Sequence, residues 1–427
     1  MPDPEVFLRA VSLFAPDLPL PMGLLAEIID KDETELTTAL VEDGKLLNLS
    51  IGTFLAIQPE TLPSANREDA QAVLETVVKQ LEKGFRNHNK VKQIETFHPI
   101  GPHMVTLIEK LEPFELGKQW KLYSLMAQYL MLVGKAQDAC EYFAQAANCY
   151  PEPISAEDEE YLHLALQTAD AETARGNYER AETLIRRVLL DETEMHGHPK
   201  PLHLVKLAHI VFRCEDYAQA IELYLQAIQL QKETSRDENL VASHWNNLGR
   251  VYLASEQMQQ AITAFNQAAE IWSQTEATEH HINRSLALKN LALAYQKTQE
   301  YNKAQSAIEE AIHLSEAEYG VDHPDIGRDA NIYALVLQAQ GQHEAALVQF
   351  RRALRIDTRA FGQLHPEVAL TLNNMGALYA EMGKIDKARQ SFFDARNILQ
   401  KCSSEDHPYW QQVLENIAGL EQQSLPF

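Results

Sequence analysis

Small and bulky apolar side chains recur along this chain with a period of about 42 residues, seven times between Lys118 and Lys401. Counting position 1 from Trp120, Leu162, Pro201, Ala242, Ser285, Gly327 and Ala369 aligns them. Position 20 is then alanine throughout: Ala139, Ala181, Ala220, Ala261, Ala304, Ala346 and Ala388. Position 27 is alanine in every repeat except one, where it is Val188. Position 8 is always alanine or glycine, and position 24 is always large, as in Phe143, Ile185, Tyr224, Phe265 and Phe392. Helical spacing puts positions 4, 7, 8 and 11 on one face and 20, 24 and 27 on another. The pattern predicts two antiparallel helices per repeat, close where side chains are small and filled in by large ones beside them. Gly134, Gly176, Gly341 and Gly383 at position 15 mark the turn between the two. A repeat of this size cannot bury its own apolar face, so the repeats must stack into a solenoid.

The pattern resembles the tetratricopeptide repeat. Trp245, Leu248, Gly249, Tyr252, Ala261, Phe265 and Ala268 fall on that repeat's signature positions. The usual period is about 34 residues, so each helix pair here carries an extra turn and a longer connection. Segments such as Gly320-Val321-Asp322-His323-Pro324 and Gly362-Gln363-Leu364-His365-Pro366, followed by Leu372-Asn373-Asn374-Met375-Gly376, are similar to the kinesin light chain subtype. The resemblance implies an all-α fold, a right-handed superhelical solenoid whose concave groove takes a protein or peptide.

Residues 1–66 read differently. Glu5–Phe14, Leu24–Ile29 and a third segment ending near Glu42 predict short helices. Leu46–Ser50 and Thr53–Ile57 around Ile51-Gly52 predict a β-hairpin. Three helices and a hairpin form the layout of a small winged-helix domain. Many such domains bind DNA, but this region holds eleven acidic residues against three basic ones, so a duplex would repel it. The run Phe7–Pro16, the segment Glu35–Leu49 and the domain order resemble the regulatory half of signal-transducing NTPases of the NB-ARC type. That family carries a phosphate-cradling glycine loop, which is missing here. Gly44-Lys45, Gly117-Lys118, Gly134-Lys135 and Gly383-Lys384 all lack the hydroxyl residue that must follow. Residues 67–116 are expected as a helical linker or cap, 117–401 as the repeats, and 402–427 as a C-terminal capping helix with Tyr409–Leu420 closing the stack.

Charge narrows the partners. The formal net charge is −24, which disfavours nucleic acid and anionic membrane surfaces. The start of the chain lacks the basic segment of a secretory signal, and no apolar run reaches membrane-spanning length. The four scattered cysteines are expected as small core residues in a reducing compartment. The expected location is the cytoplasm, and self-association is left open.

No catalytic constellation is legible, and no cofactor or metal is expected. His196-Gly197-His198 and His280-His281 lack accompanying ligands at zinc spacing and read as loop histidines. His323-Pro324, His365-Pro366 and His407-Pro408 recur at the repeat period and read as helix starts, a polar cap before a first-turn proline.

The stronger signal is a ladder of asparagines. The resemblance puts positions 2, 5, 6, 9, 12 and 13 of each first helix on the inner groove. Position 6 holds Asn247, Asn290 and Asn374, and position 5 holds Asn246, Lys289, Asn331 and Asn373. Arg250, Gln296 and Arg328 lie beside them. Asparagine is a poor helix former, so its recurrence needs a reason. A carboxamide both donates and accepts, which suits the main chain of an extended peptide. The same amides could instead bond between adjacent repeats and tie the stack together. The earlier wall, with Val205, His209 and Phe212, is more apolar.

Overall fold

A computed structural model describes residues 13–14, 20–21, 54–55, 65–85, 101–152, 158–235, 237–274, 278–402 and 408–423. Seventeen α-helices run through these described residues. They divide into two compact units, Met1–Cys214 and Glu215–Phe427, with the boundary inside the third repeat.

The first unit holds α1 (Arg67–Phe85), α2 (Gly101–Leu111), α3 (Gln119–Leu132), α4 (Ala136–Asn148), α5 (Glu159–Arg175), α6 (Tyr178–His196) and α7 (Pro201–Arg213). Asn66 and Asp69 open α1 reciprocally: the Asp69 N–H donates to Asn66 Oδ1 (2.9 Å) and the Asn66 N–H to Asp69 Oδ2 (3.0 Å). Both α1 and α2 pack on α3. Val73, Leu74, Val77 and Leu81 of α1 join Met104, Leu107 and Leu111 of α2 in one core with Trp120, Leu122 and Phe143. That core covers the outer apolar face of the first repeat, as a solenoid end requires.

The winged-helix region falls largely outside the described residues. Of it, Leu13 and Phe14 are buried, and Phe14 meets His103 edge-on at 5.7 Å. Two short strands, β1 (Leu20–Pro21) and β2 (Phe54–Leu55), pair antiparallel. Phe54 and Leu55, expected to pair with Leu46–Ser50, pair instead with Leu20–Pro21, and Leu46–Ser50 lies outside the described residues.

The second unit holds α8 (Tyr217–Thr234), α9 (Glu238–Ala254), α10 (Met258–Ser273), α11 (Thr278–Lys297), α12 (Tyr301–Tyr319), α13 (Pro324–Ala339), α14 (His343–Phe361), α15 (Pro366–Glu381), α16 (Ile385–Cys402) and α17 (Pro408–Gln423). Each helix from α9 to α17 packs on its predecessor in chain order. All seven position-20 alanines have no exposed surface. At position 8, a Cβ on Gly249 would stand 2.6 Å from the Phe265 ring, and one on Gly376 2.6 Å from Phe392. Glycine there is the room the aromatic ring occupies.

Position 15 is left-handed in every repeat. Gly134, Gly176, Gly341 and Gly383 have φ of 79°, 88°, 73° and 71°. Glu215, Glu256 and Gln299 take the same turn with φ of 63°, 61° and 61°, where a side chain is disfavoured. The long loops before α13 and α15 are held as expected. The Asp325 N–H donates to His323 Nδ1 and the Glu367 N–H to His365 Nδ1, each at 3.2 Å. Pro324 and Pro366 follow in the first turn, and the two imidazoles stack on Tyr319 and Phe361 at 4.4 and 4.3 Å. His407 lies outside the described residues.

Two expectations need correction. His280 and His281 lie in the first turn of α11, not in a loop. Cys140 is buried, but Cys149 and Cys214 are exposed and Cys402 is half-buried. Cys149 and Cys214 sit at the C-terminal caps of α4 and α7, where the chain leaves the packed layer.

Candidate functional site

Within the second unit, α9, α11, α13 and α15 each meet the equivalent first helix that follows, ending at α17, and contact between successive second helices is sparser. The tighter layer of first helices is therefore the inner wall of this unit. The residues expected on the groove lie on α9, α11, α13 and α15.

The asparagines are spent largely on one another. Asn290 Nδ2 donates to Asn246 Oδ1 (3.1 Å), Asn374 Nδ2 to Asn331 Oδ1 (3.1 Å), and Asn416 Nδ2 to Asn373 Oδ1 (2.9 Å). Each rung links position 6 of one repeat to position 5 of the repeat before it. Asn246, Asn331, Asn373 and Asn374 are buried in these seams. The first unit builds the same rung from other residues, with Ser124 Oγ donating to Gln167 Oε1 at 3.2 Å. Each rung pairs one amide nitrogen with one amide oxygen, where unpaired groups would be costly, and leaves Asn373 Nδ2 without a partner.

The remaining wall residues divide by accessibility. Arg250 and Arg328 are exposed, while Asn247, Lys289, Asn290 and Gln296 are half-buried. Lys289 Nζ pairs with Asp329 Oδ1 of the next repeat at 3.0 Å. Burial raises the Asp329 carboxyl above the usual range, and the Lys289 charge opposes that shift. Arg328 pairs with Asp325 on its own helix. Gln296 Nε2 donates to the Leu335 carbonyl at 3.3 Å, a further tie between repeats. Asn247 and Arg250 enter no rung and no ion pair among the described residues. Leu286 of α11 stands on the same wall with almost half its surface exposed. Asn247 and Arg250 are thus available on these helices, with Leu286 exposed on the next, groups able to hydrogen-bond a main chain and cover an apolar side chain.

Sequence reasoning missed Asn416, Ser124 and Gln167, although their repeat positions would have found them. It also missed a second set of polar residues, at positions 31 and 3, which meet where a second helix packs on the next first helix. Glu192 Oε1 bonds His203 Nδ1 at 2.9 Å, and Glu192 Oε2 accepts from the Lys200 N–H at 3.0 Å. Ser315 Oγ, at position 31, instead bonds Ser285 Oγ at position 1 of its own repeat, at 2.6 Å. Asp357 Oδ2 accepts from Thr371 Oγ1 at 3.4 Å. His244, at position 3, is buried with neither ring nitrogen bonded among the described residues, and burial pushes it down to about 4. The signal for all of these was a polar residue at a core position. Among the described residues no group of three or more His, Cys, Asp or Glu could hold a metal ion, and no helix is long and apolar enough to cross a membrane.

The tetratricopeptide repeat family model matches residues 201–274, 283–359 and 329–401. The chain therefore carries tetratricopeptide repeats over those residues. No curated protein matches the sequence significantly. Among solved structures, the Signal Transduction ATPase with Numerous Domains protein with a tetratricopeptide repeat sensor from Pyrococcus horikoshii is similar at 12% identity and a TM-score of 0.55. That likeness covers 98% of this chain and 65% of that one. The apo form of RapI is similar at 15% identity and a TM-score of 0.50, over 66% of this chain and 99% of that one. The putative kinesin light chain repeats of Podosopora anserina are similar at 24% identity and a TM-score of 0.42, over 46% of this chain and 94% of that one.

Proposed function

We propose that these tetratricopeptide repeats form a recognition module, which binds a protein or peptide along the wall of first helices in Glu215–Phe427 and does no chemistry on it. The observation that carries this reading is the division of the wall. Most of its amides close the seams between repeats, whereas Asn247 and Arg250 stay outside that network, and Leu286 on the neighbouring first helix is exposed. Polar groups held on rigid helices and left unspent are suited to fix an extended ligand.

The test is affinity capture from an extract of the native host, comparing the full chain with an Asn247→Ala/Arg250→Ala variant. The variant should keep its helicity and lose the captured protein. Undiminished capture by a folded variant removes the groove from the reading.

A second reading makes the chain the sensor half of a signal-transducing NTPase. It is supported by the extent of the likeness to the Pyrococcus horikoshii protein, which covers 98% of this chain. Recovery of a nucleotide-binding NTPase in the same capture experiment would favour it. In this reading a ligand shifts the repeats between conformations in proportion to its differential affinity.

A further inference from the structure

Where position 31 of one repeat meets position 3 of the next, one joint of the second unit buries a carboxyl that is chemically incomplete. At the joint between the repeats beginning at Gly327 and Ala369, the buried residue from the second helix is Asp357, with 2% of its surface exposed. Its Oδ2 receives one long hydrogen bond, from Thr371 Oγ1 at 3.4 Å. Its Oδ1 is buried and has no hydrogen-bond partner in the structure. The carboxyl fits only because residue 327 is glycine: a Cβ there would lie 2.4 Å from Oδ1.

The equivalent positions elsewhere differ. Glu192 takes bonds from His203 and the Lys200 N–H on its two oxygens, and the last joint is apolar, with Leu399 and Val413 both buried. His244 and Asp329 at position 3 also keep buried atoms without a hydrogen-bond partner, but Asp329 has the Lys289 ammonium beside it. Asp357 is a buried acid with one oxygen unserved. The charged groups that face it are Glu367 from α15 and Arg328 from α13. Glu367 repels the ionised form. Arg328 favours it, but is exposed and already paired with Asp325.

We propose that this joint responds to protons: a neutral Asp357 carboxyl lets α15 seat on α14, and an ionised one loosens that seat. An ionised carboxylate at this site has lost its water and gained one weak bond. Burial first, then Glu367, pushes the carboxyl up to about 6, against the smaller pull of Thr371 and Arg328. The folded chain therefore binds a proton more tightly than the unfolded one. Its stability is raised as pH falls through about 6 and is lowered above it. Because α15 carries Asn373 and Asn374, loosening it also strains the rungs to Asn331 and Asn416.

The experiment is equilibrium unfolding of the full chain and of an Asp357→Asn variant from about pH 8 to about pH 4. His244 titrates in the opposite sense, so the difference between the two chains is the reading, not either curve alone. The variant should lead by about a hundredfold in the folded-to-unfolded ratio at the alkaline end, and the lead should vanish at the acid end. A lead that does not change with pH overturns the proposal. If Asp357→Asn does not fold, hydrogen exchange of the wild-type chain decides the matter. Amides of α15–α17, corrected for intrinsic rates, should open less readily at about pH 5 than at about pH 8. Equal opening at both overturns the proposal.

Discussion

Asn290 on α11 donates a hydrogen bond to Asn246 on α9 across 3.1 Å, and the same bond recurs two and three repeats later between other asparagines. In a helix, positions 5 and 6 stand about 100° apart. One carboxamide therefore reaches forward to the next first helix, and the other reaches back. A run of asparagines at these positions becomes a row of staples along the inner layer.

If the rungs are staples, removing one should cost stability. Asn374→Ala should destabilise the chain by about 1–2 kcal/mol in urea unfolding, because it leaves buried Asn331 without its donor. The double variant with Asn331→Ala should cost less than the sum of the two singles, and strict additivity would show that the rung carries no coupling.

Close packing at position 8 makes its glycines sensitive to a single methyl group. Gly376→Ala would drive a Cβ to 2.6 Å from the Phe392 ring and should cost about 1–3 kcal/mol. Adding Phe392→Leu should recover part of the loss in thermal unfolding, since the ring is the obstruction.

The left-handed turn offers a gain. Gln299→Gly should stabilise the chain by about 0.5–1 kcal/mol, because φ is 61° at Gln299 and glycine pays no steric penalty there. Gly341→Ala, at a φ of 73°, should lose a similar amount. A matched pair of thermal melts checks both.

His244 should make the second unit sensitive to acid. Burial lowers its folded-state value to about 4, below the unfolded value near 6.5. The neutral ring's contribution is present above about pH 6.5 and is lost as pH falls from there toward 4. A His244→Gln variant should show a shallower loss of stability over that interval, and identical slopes would sink the assignment.

Capping by the repeated His-Pro pair should be measurable as well. His365→Ala removes both the acceptor for the Glu367 N–H and the ring stacked on Phe361, and should cost about 1 kcal/mol in urea unfolding.

Much of this architecture was readable from the residues. The alanines at position 20, the large residues at position 24 and the glycines at position 15 are dictated by how close two helices come and where they turn, and the structure places them so. Local chemistry was enough for His323 and His365, since cap, proline and aromatic all lie within a few residues of each other. The wall was only half legible. The resemblance put Asn246, Asn331, Asn373 and Asn374 on the inner face, but could not say whether a ligand or a neighbouring amide would meet them.

The amino-acid sequence by itself determined the helices, their pairing and the surface each one buries, because those follow from spacing and side-chain volume along a single helix. Tertiary structure alone decided which carboxamides are consumed and which polar group is stranded. Those outcomes depend on the crossing of helices from repeats some forty residues apart.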